Sequence, residues 1–307
     1  MTRDEDGGMG AFSHRTVMLE ETLAAIDPRA GRVYADVTVG GGGHAEGILE
    51  RSAPDGRLVA LDRDPSALEA ASARLARFGE RVTMVHATFA DLGRVLEDAG
   101  VSRVHGLVAD LGVSSPQLDR PDRGFSFRFE GPLDMRMDPS AGETALELIA
   151  RLDERELADL LYQLGEERRS RAIARSIKRA LEAGELATTQ DLRRAVVRAV
   201  GPRKSGGLDP ATRTFQALRI AVNDELGQLD ALLAQLPDVL EDGGVAAILS
   251  FHSLEDRRVK RCFRESDVLV PLTKKPVVPS DDEQRENPRA RSAKLRAARR
   301  VPREEAA

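Results

Sequence analysis

The chain has 307 residues, enough for one large α/β domain carrying an insertion or for two modest domains. Hydrophobic residues (41%) supply an ordinary core, while 4% aromatics without tryptophan and 32% charged residues argue against an aromatic-rich sandwich or barrel. A formal net charge of −5 excludes a uniformly basic nucleic-acid binder, so any such site must be a local patch, and a single cysteine excludes an intrachain disulfide or a cysteine-based zinc cluster.

Residues 1–13 are acidic and Gly-rich and read as a disordered leader, without the basic start and apolar run of a signal peptide. No apolar stretch is long enough to span a bilayer, and a cytosolic protein is expected. The β-branched run 32–39 predicts a strand ending in glycines, followed by a short helix over 44–51. A second strand is expected over 56–62, then a helix over 65–78 with Asp64 as its cap and Pro65 at its first position. Strands over 81–85 and 104–111 flank a helix over 92–99. This alternation is the signature of a parallel sheet with helices on its faces.

The pattern then breaks. Residues 115–142 are loop-like, 145–200 almost purely helical, and helical signal resumes over 211–236, where Phe215, Leu218, Val222, Leu226 and Leu229 form one apolar stripe. A further strand, 244–250, needs a sheet to join. The economical reading is therefore a helical insertion: 14–114 and 215–307 form the sheet domain, and 115–214 the inserted, mainly helical substrate-recognition domain. Residues 270–288 read as a loop, and 293–301 as either a last strand or part of a basic tail.

Gly40-Gly41-Gly42-Gly43-His44 lies between the first strand and the first helix, where absent side chains let a ligand approach the backbone. Asp62 ends the second strand about 20 residues later, where a carboxylate accepts hydrogen bonds from ribose hydroxyls. Together they indicate an adenosine-containing cofactor. NAD and S-adenosylmethionine both satisfy that geometry, and a P-loop is excluded because no Lys-Ser or Lys-Thr follows the glycines. Three features favour S-adenosylmethionine. Gly41, Gly43 and His44 depart from a dinucleotide loop, no Tyr-x-x-x-Lys pair is present, and the fourth strand ends in Asp110-Leu111-Gly112-Val113-Ser114-Ser115-Pro116-Gln117, which in methyltransferases of this topology faces the transferred methyl.

These residues, with Arg123 to Phe127 (RGFSF), Gly131 to Asp138 (GPLDMRMD), Gly165 to Arg168 (GEER), Ala211 to Arg219 (ATRTFQALR), Ser250 to Arg257 (SFHSLEDR) and Asn287 to Ser292 (NPRARS), closely resemble the bacterial small-subunit ribosomal RNA methyltransferase H family, also called MraW. The resemblance runs from His14 to about Arg300, and blocks of this length in this order are highly specific. It implies an α/β, Rossmann-like class I methyltransferase sheet with an inserted helical domain. It also implies S-adenosylmethionine-dependent N4-methylation of a cytidine in the decoding region of 16S rRNA. Matching cofactor positions are Gly42, Gly43, His44, Asp62, Phe89, Asp110 and Gln117. The chain departs from the family at Val37, where Gly is usual, and at Val39, where an aromatic is frequent. The implied partner is small-subunit rRNA or the 30S subunit, with no membrane and with the oligomeric state left open, a dimer included.

A cytosine amine is a poor nucleophile because its lone pair is delocalised into the ring, and an acceptor that bonds its hydrogens counteracts this. Asp110 is the candidate acceptor, with pure cofactor binding as the alternative. His252, at the end of the fifth strand, is a second candidate, and Glu255 and Asp256 read as the start of a helix. Phe125, Phe127 and Phe129 are candidate stacking aromatics or, alternatively, an apolar plug. RNA phosphates have candidates in Arg168, Arg171, Arg175 and Arg179, expected on one helical face with Arg169 and Lys178 nearby, in Lys204 on a basic loop, and in Arg213. The basic tail adds Arg289, Arg291, Lys294, Arg296, Arg299 and Arg300. Two other readings stay open: a small-molecule or DNA amino-methyltransferase, which leaves the basic helices unexplained, and a nonenzymatic ribosome-assembly factor that binds the cofactor.

Overall fold

The computed structural model describes residues 16–202 and 207–302, so the expected leader and Lys204 lie outside the described residues. Helix α1 (Leu19–Ile26) leads into β1 (Val33–Asp36), α2 (Gly43–Arg51), β2 (Arg57–Asp62), α3 (Pro65–Leu75), β3 (Val82–His86), α4 (Leu92–Asp98) and β4 (Val104–Asp110). Helix α3 starts as its sequence dictates: the Asp64 side chain accepts from Ser66 N–H, and Pro65, which lacks the orphan donor, takes the first position.

Beyond β4 come α5 (Ser115–Asp119), α6 (Ala145–Arg151), α7 (Glu154–Gly165), α8 (Ser170–Glu182), α9 (Thr189–Val200), α10 (Thr212–Val222) and α11 (Glu225–Val239). The chain then re-enters the sheet as β5 (Leu240–Ser250), followed by α12 (Ser253–Glu265), β6 (Leu269–Pro271), α13 (Asp281–Glu286) and β7 (Lys294–Arg300). The seven strands lie in the order β3-β2-β1-β4-β5-β7-β6. The first five are parallel, and β7 runs antiparallel to both β5 and β6.

Alternation along the strands builds two cores. Val59 and Leu61 face one side with Leu107 and Ala109, under α4, α11 and α12. Leu58 and Ala60 face the other with Val108, under α1, α2 and α3. Helices α6 to α10 close a third apolar cluster of their own, which includes Leu148, Leu161, Ile173, Leu192 and Leu218.

The structure revises two readings and decides a third, residues 293–301, in favour of the last strand. The stripe over 211–236 is two helices, because Asp224 adopts a left-handed conformation (φ 46°) that ends the helical path. Phe215 and Leu218 then pack in the helical cluster, while Leu229 lies within the sheet core. Packing therefore puts the return to the sheet at Asn223–Asp224, not at 214/215. The segment read as a loop holds β6 and α13, both too short to show a period. The basic tail supplies β7, whose Arg296 pairs with Asp256 at 2.7 Å and whose Arg300 pairs with Asp242.

Candidate active site

The strand order reverses between β1 and β4, and a cleft opens at the carboxyl ends of the strands there, as expected for a doubly wound sheet. Its walls include Thr16, Gly40, Gly41, Gly43, His44, Asp62, Phe89, Asp110, Gln117 and Phe251. Gly40 N–H donates to Asp62 Oδ2 at 2.9 Å, and Asp64 N–H donates to Asp62 Oδ1 at 2.9 Å. Burial raises the Asp62 pKa against those hydrogen bonds. Gly42 (φ 80°) caps α2 from a left-handed conformation and turns toward Ala71 and Leu75 of α3, so its contribution is to the turn. A Cβ on Gly43 would overlap Thr16 Oγ1, which is why the loop and the Thr16-Val17 segment meet so closely there.

Asp110 sits at the centre. Its N–H donates to Thr38 Oγ1 at 2.6 Å, and its Oδ2 lies 3.9 Å from His44 Nδ1, too far for a hydrogen bond. His44 Nε2 is 3.1 Å from Val17 O, an acceptor, so the ring proton is on Nε2. Among the described residues Asp110 Oδ1 is buried without a partner, and so is Asp36 Oδ2 at the end of β1. Burial pushes Asp110 up to about 8, helped by the charges of Asp36 and Glu255. Burial also pushes Asp36 up to about 7, despite the hydrogen bond from Thr38 N–H. Orphaned acceptors of this kind lack a proton or a ligand donor.

Gln117 reaches the wall as part of a capping box. Its Oε1 accepts from Ser114 N–H at 2.9 Å, and its Nε2 donates to Asp64 Oδ2 at 2.8 Å. Arg123 joins the same oxygen at 2.8 Å and donates to the carbonyls of Arg136 and Met137. Burial pushes Asp64 up, but hydrogen bonds from Ser66, Gln117 and Arg123 outweigh it, and its pKa lies below the ordinary value. Asn223 completes the junction by accepting from Met137 N–H at 2.8 Å and donating to Met135 O at 2.7 Å.

His252 is not a cleft residue. It caps α12, with Nδ1 accepting from Glu255 N–H at 3.4 Å and Nε2 lying 3.1 Å from Glu255 Oε1. The cap needs the lone pair on Nδ1, which puts the proton on Nε2; that atom is 3.1 Å from Glu255 Oε1 but makes no hydrogen bond among the described residues. Glu225, His252 and Glu255 bring donor atoms within 4.8 Å of one another, as a cation site would. The bidentate Arg219–Glu225 pair (2.7 and 2.8 Å) already engages one of the three groups.

The MraW methylase family model matches residues 11–301. A ribosomal RNA small subunit methyltransferase H from Sorangium cellulosum is 64% identical over 288 residues, covering 94% of this chain and 91% of the relative. A protein of the same name from Prochlorococcus marinus is 54% identical over 298 residues, covering 95% and 94%. The chain belongs to the MraW methylase family. As a methylase of this family it uses S-adenosylmethionine as its methyl donor. The cleft fits that cofactor: each Asp62 oxygen keeps acceptor capacity beyond its backbone bond, Phe89 offers an apolar wall, and Asp110 offers an orphaned oxygen. The two departures from the family pattern are core residues that also line the cleft. Val37 and Val39 are buried, and their N–H groups reach Val108 O at 3.0 Å and Leu61 O at 2.8 Å.

On the substrate side the structure reassigns several residues. Phe125 is buried in the helical cluster, and Phe127 packs edge-on against Phe215 with ring centroids 5.0 Å apart. Neither presents a free face to a base; of the three alternating aromatics, Phe129 is the exposed one. Arg168 lies before α8, and Arg171 is exposed on its first turn. Arg175 pairs with Glu154 at 3.2 Å, and Arg213 donates to Glu166 O at 3.2 Å. Lys178 is internal glue, donating to the carbonyls of Ile149 and Leu152 at the end of α6, and Arg169 reaches those of Ala199 and Val200 at the end of α9. Asp36, Thr38, Asp64, Arg123, Asn223 and Glu255 were not singled out by sequence as site groups. Only strand-end position for Asp36, and the quoted blocks for Arg123 and Glu255, carried a signal for them. No described helix is long and apolar enough to cross a membrane.

Proposed function

We propose that this protein methylates N4 of a cytidine in the decoding region of small-subunit rRNA. The observation that carries the reading is Asp110, a half-buried carboxylate whose Oδ1 is buried and unpartnered at the switch point of a methylase cleft. Bound S-adenosylmethionine supplies a methyl already activated by its sulfonium. The protein's task is then alignment and handling of the amine.

Asp110 accepts a hydrogen bond from the cytosine amine, opposes delocalisation of its lone pair, and receives the proton that leaves as the N–C bond forms. That role needs the ionised carboxylate. Burial raises the Asp110 pKa to about 8, so Asp110 is largely protonated at neutral pH, and a cation in the cleft favours its ionised form. His44, Asp62, Phe89 and Gln117, with the glycine loop, form the cofactor wall, and Gly42 acts on the turn. The helices of residues 115–222 form the face that receives RNA. The names of the relatives, ribosomal RNA small subunit methyltransferases, support this substrate class.

The test is labelled methyl transfer to small subunits from cells lacking this gene, followed by nucleoside analysis and mapping. N4-methylcytidine at one decoding-region site is the expected product. Label in another base, or in no RNA while cofactor binds, overturns the reading.

A further inference from the structure

Helices α7 and α8 meet at a turn that projects Tyr162 into solvent. The chain has two tyrosines and no tryptophan; Tyr34 is fully buried, whereas Tyr162 is 61% exposed. Beside Tyr162 a groove is lined by Arg168, Arg169, Arg171 and Asp159. The charges differ in their commitments. Arg169 is spent on the α9 carbonyls, and Asp159 faces Arg155 at 4.0 Å. Among the described residues Arg168 and Arg171 have no side-chain hydrogen bond or ion pair, and both are exposed. On a body of net charge −5, these are cations without a partner beside an aromatic face without a cover.

The turn is joined to the active-site rim. About one helical turn past Tyr162, Glu166 accepts hydrogen bonds from Ser253 and Arg257 at the start of α12. That helix follows directly from Phe251, a wall of the cleft. Arg257 and Arg213 both bond Glu166, so two further cations stand where this turn meets α12.

We propose that Tyr162, Arg168 and Arg171 form a docking platform for an unpaired nucleotide that flanks the target in the substrate RNA. The base stacks on the phenol ring, and the neighbouring phosphates pair with the two guanidinium groups. The proposal rests on RNA being the substrate. It adds a specific contact outside the cleft and replaces Phe125 and Phe127, whose faces are used internally, as the source of base stacking.

The chain's composition supplies the probe. Stacking on Tyr162 quenches tyrosine emission, while buried Tyr34 reports a constant background. Titration of the full chain with a short single-stranded RNA should quench the emission. Tyr162→Phe should keep RNA affinity within about threefold and abolish the quench. Tyr162→Ala should weaken RNA binding by about 5- to 100-fold and raise KM for small subunits more than it lowers kcat. Arg168→Ala and Arg171→Ala should each lower the salt dependence of binding by about one counterion.

Unchanged RNA affinity and KM in Tyr162→Ala overturn the platform even where the parent protein methylates rRNA. A raised KM on subunits without any RNA quench makes the contact one to protein and also overturns it. If the parent protein methylates no RNA yet shows the Tyr162-dependent quench, the methylation reading fails and the platform stands.

Discussion

Charged groups at the carboxyl edge of the sheet are buried or half-buried, and those on the outer helices are mostly exposed; the two populations do different work. Arg175 and Glu154, with side chains 57% and 47% exposed, interact across water and salt. Asp64 and Arg123, 2% and 9% exposed, have exchanged water for each other and for Gln117 and two carbonyls. Asp110, 26% exposed, has one oxygen buried without a partner. Burial therefore strengthens a satisfied carboxylate's hold on the fold, and leaves an unsatisfied one as a poised acceptor that costs stability.

The sharpest way to break this contrast is Asp64→Ala, which strands the Arg123 charge and frees Gln117. It should cost about 3–5 kcal/mol in urea unfolding. A loss below about 1 kcal/mol would place this pair in the same class as the exposed ones. Gly43→Ala comes next, because the added methyl overlaps the Thr16 side chain. It should cost about 1–3 kcal/mol and weaken cofactor affinity by displacing the Thr16-Val17 wall. Thr16→Ala in the same chain should restore part of both losses.

The two aspartates also predict opposite pH behaviour. Asp64 has a lowered pKa, so its stabilisation is present above the unfolded carboxylate range and lost as pH falls through its folded value. Asp110 is raised from 3.8 to about 8, so its protonated form favours the fold at low pH, and stability is lost as pH rises from about 4 through 8. Melting curves of Asp110→Asn should therefore gain on the parent steadily across that window, by at least about 1 kcal/mol at its upper end. A pH-independent difference would contradict the unpaired carboxylate. The smallest effect belongs to the rim: Arg175→Ala should change stability by less than about 1 kcal/mol, and less still in high salt.

Local rules made the sheet half legible. Strand-like runs alternating with amphipathic segments located β1 to β4, and the Asp64-Pro65 pair announced α3. The glycine loop, Asp62 and Asp110 marked strand ends, and in a doubly wound sheet strand ends converge on the cleft. The break at Asn223–Asp224 was hidden because the apolar spacing continues through it, while the two halves pack against different cores. Asp64 was legible as a cap but not as the partner of Arg123, since their contact spans 59 residues and leaves no periodic trace. For His252 the strand-end position suggested the cleft, whereas the structure shows its Nδ1 capping α12 at Glu255 N–H, a local contact. The alternating phenylalanines posed stacking against plugging, and only packing decided it for Phe125 and Phe127.

The most direct measurement is single-turnover methyl transfer to unmethylated small subunits by Asp110→Asn at saturating S-adenosylmethionine, with cofactor affinity measured in parallel. The expected result is a rate lower by about 100-fold or more once the cofactor saturates, whatever the change in cofactor affinity. A parental rate once the cofactor saturates would make Asp110 a cofactor ligand alone, and would contradict its role as acceptor of the amine proton.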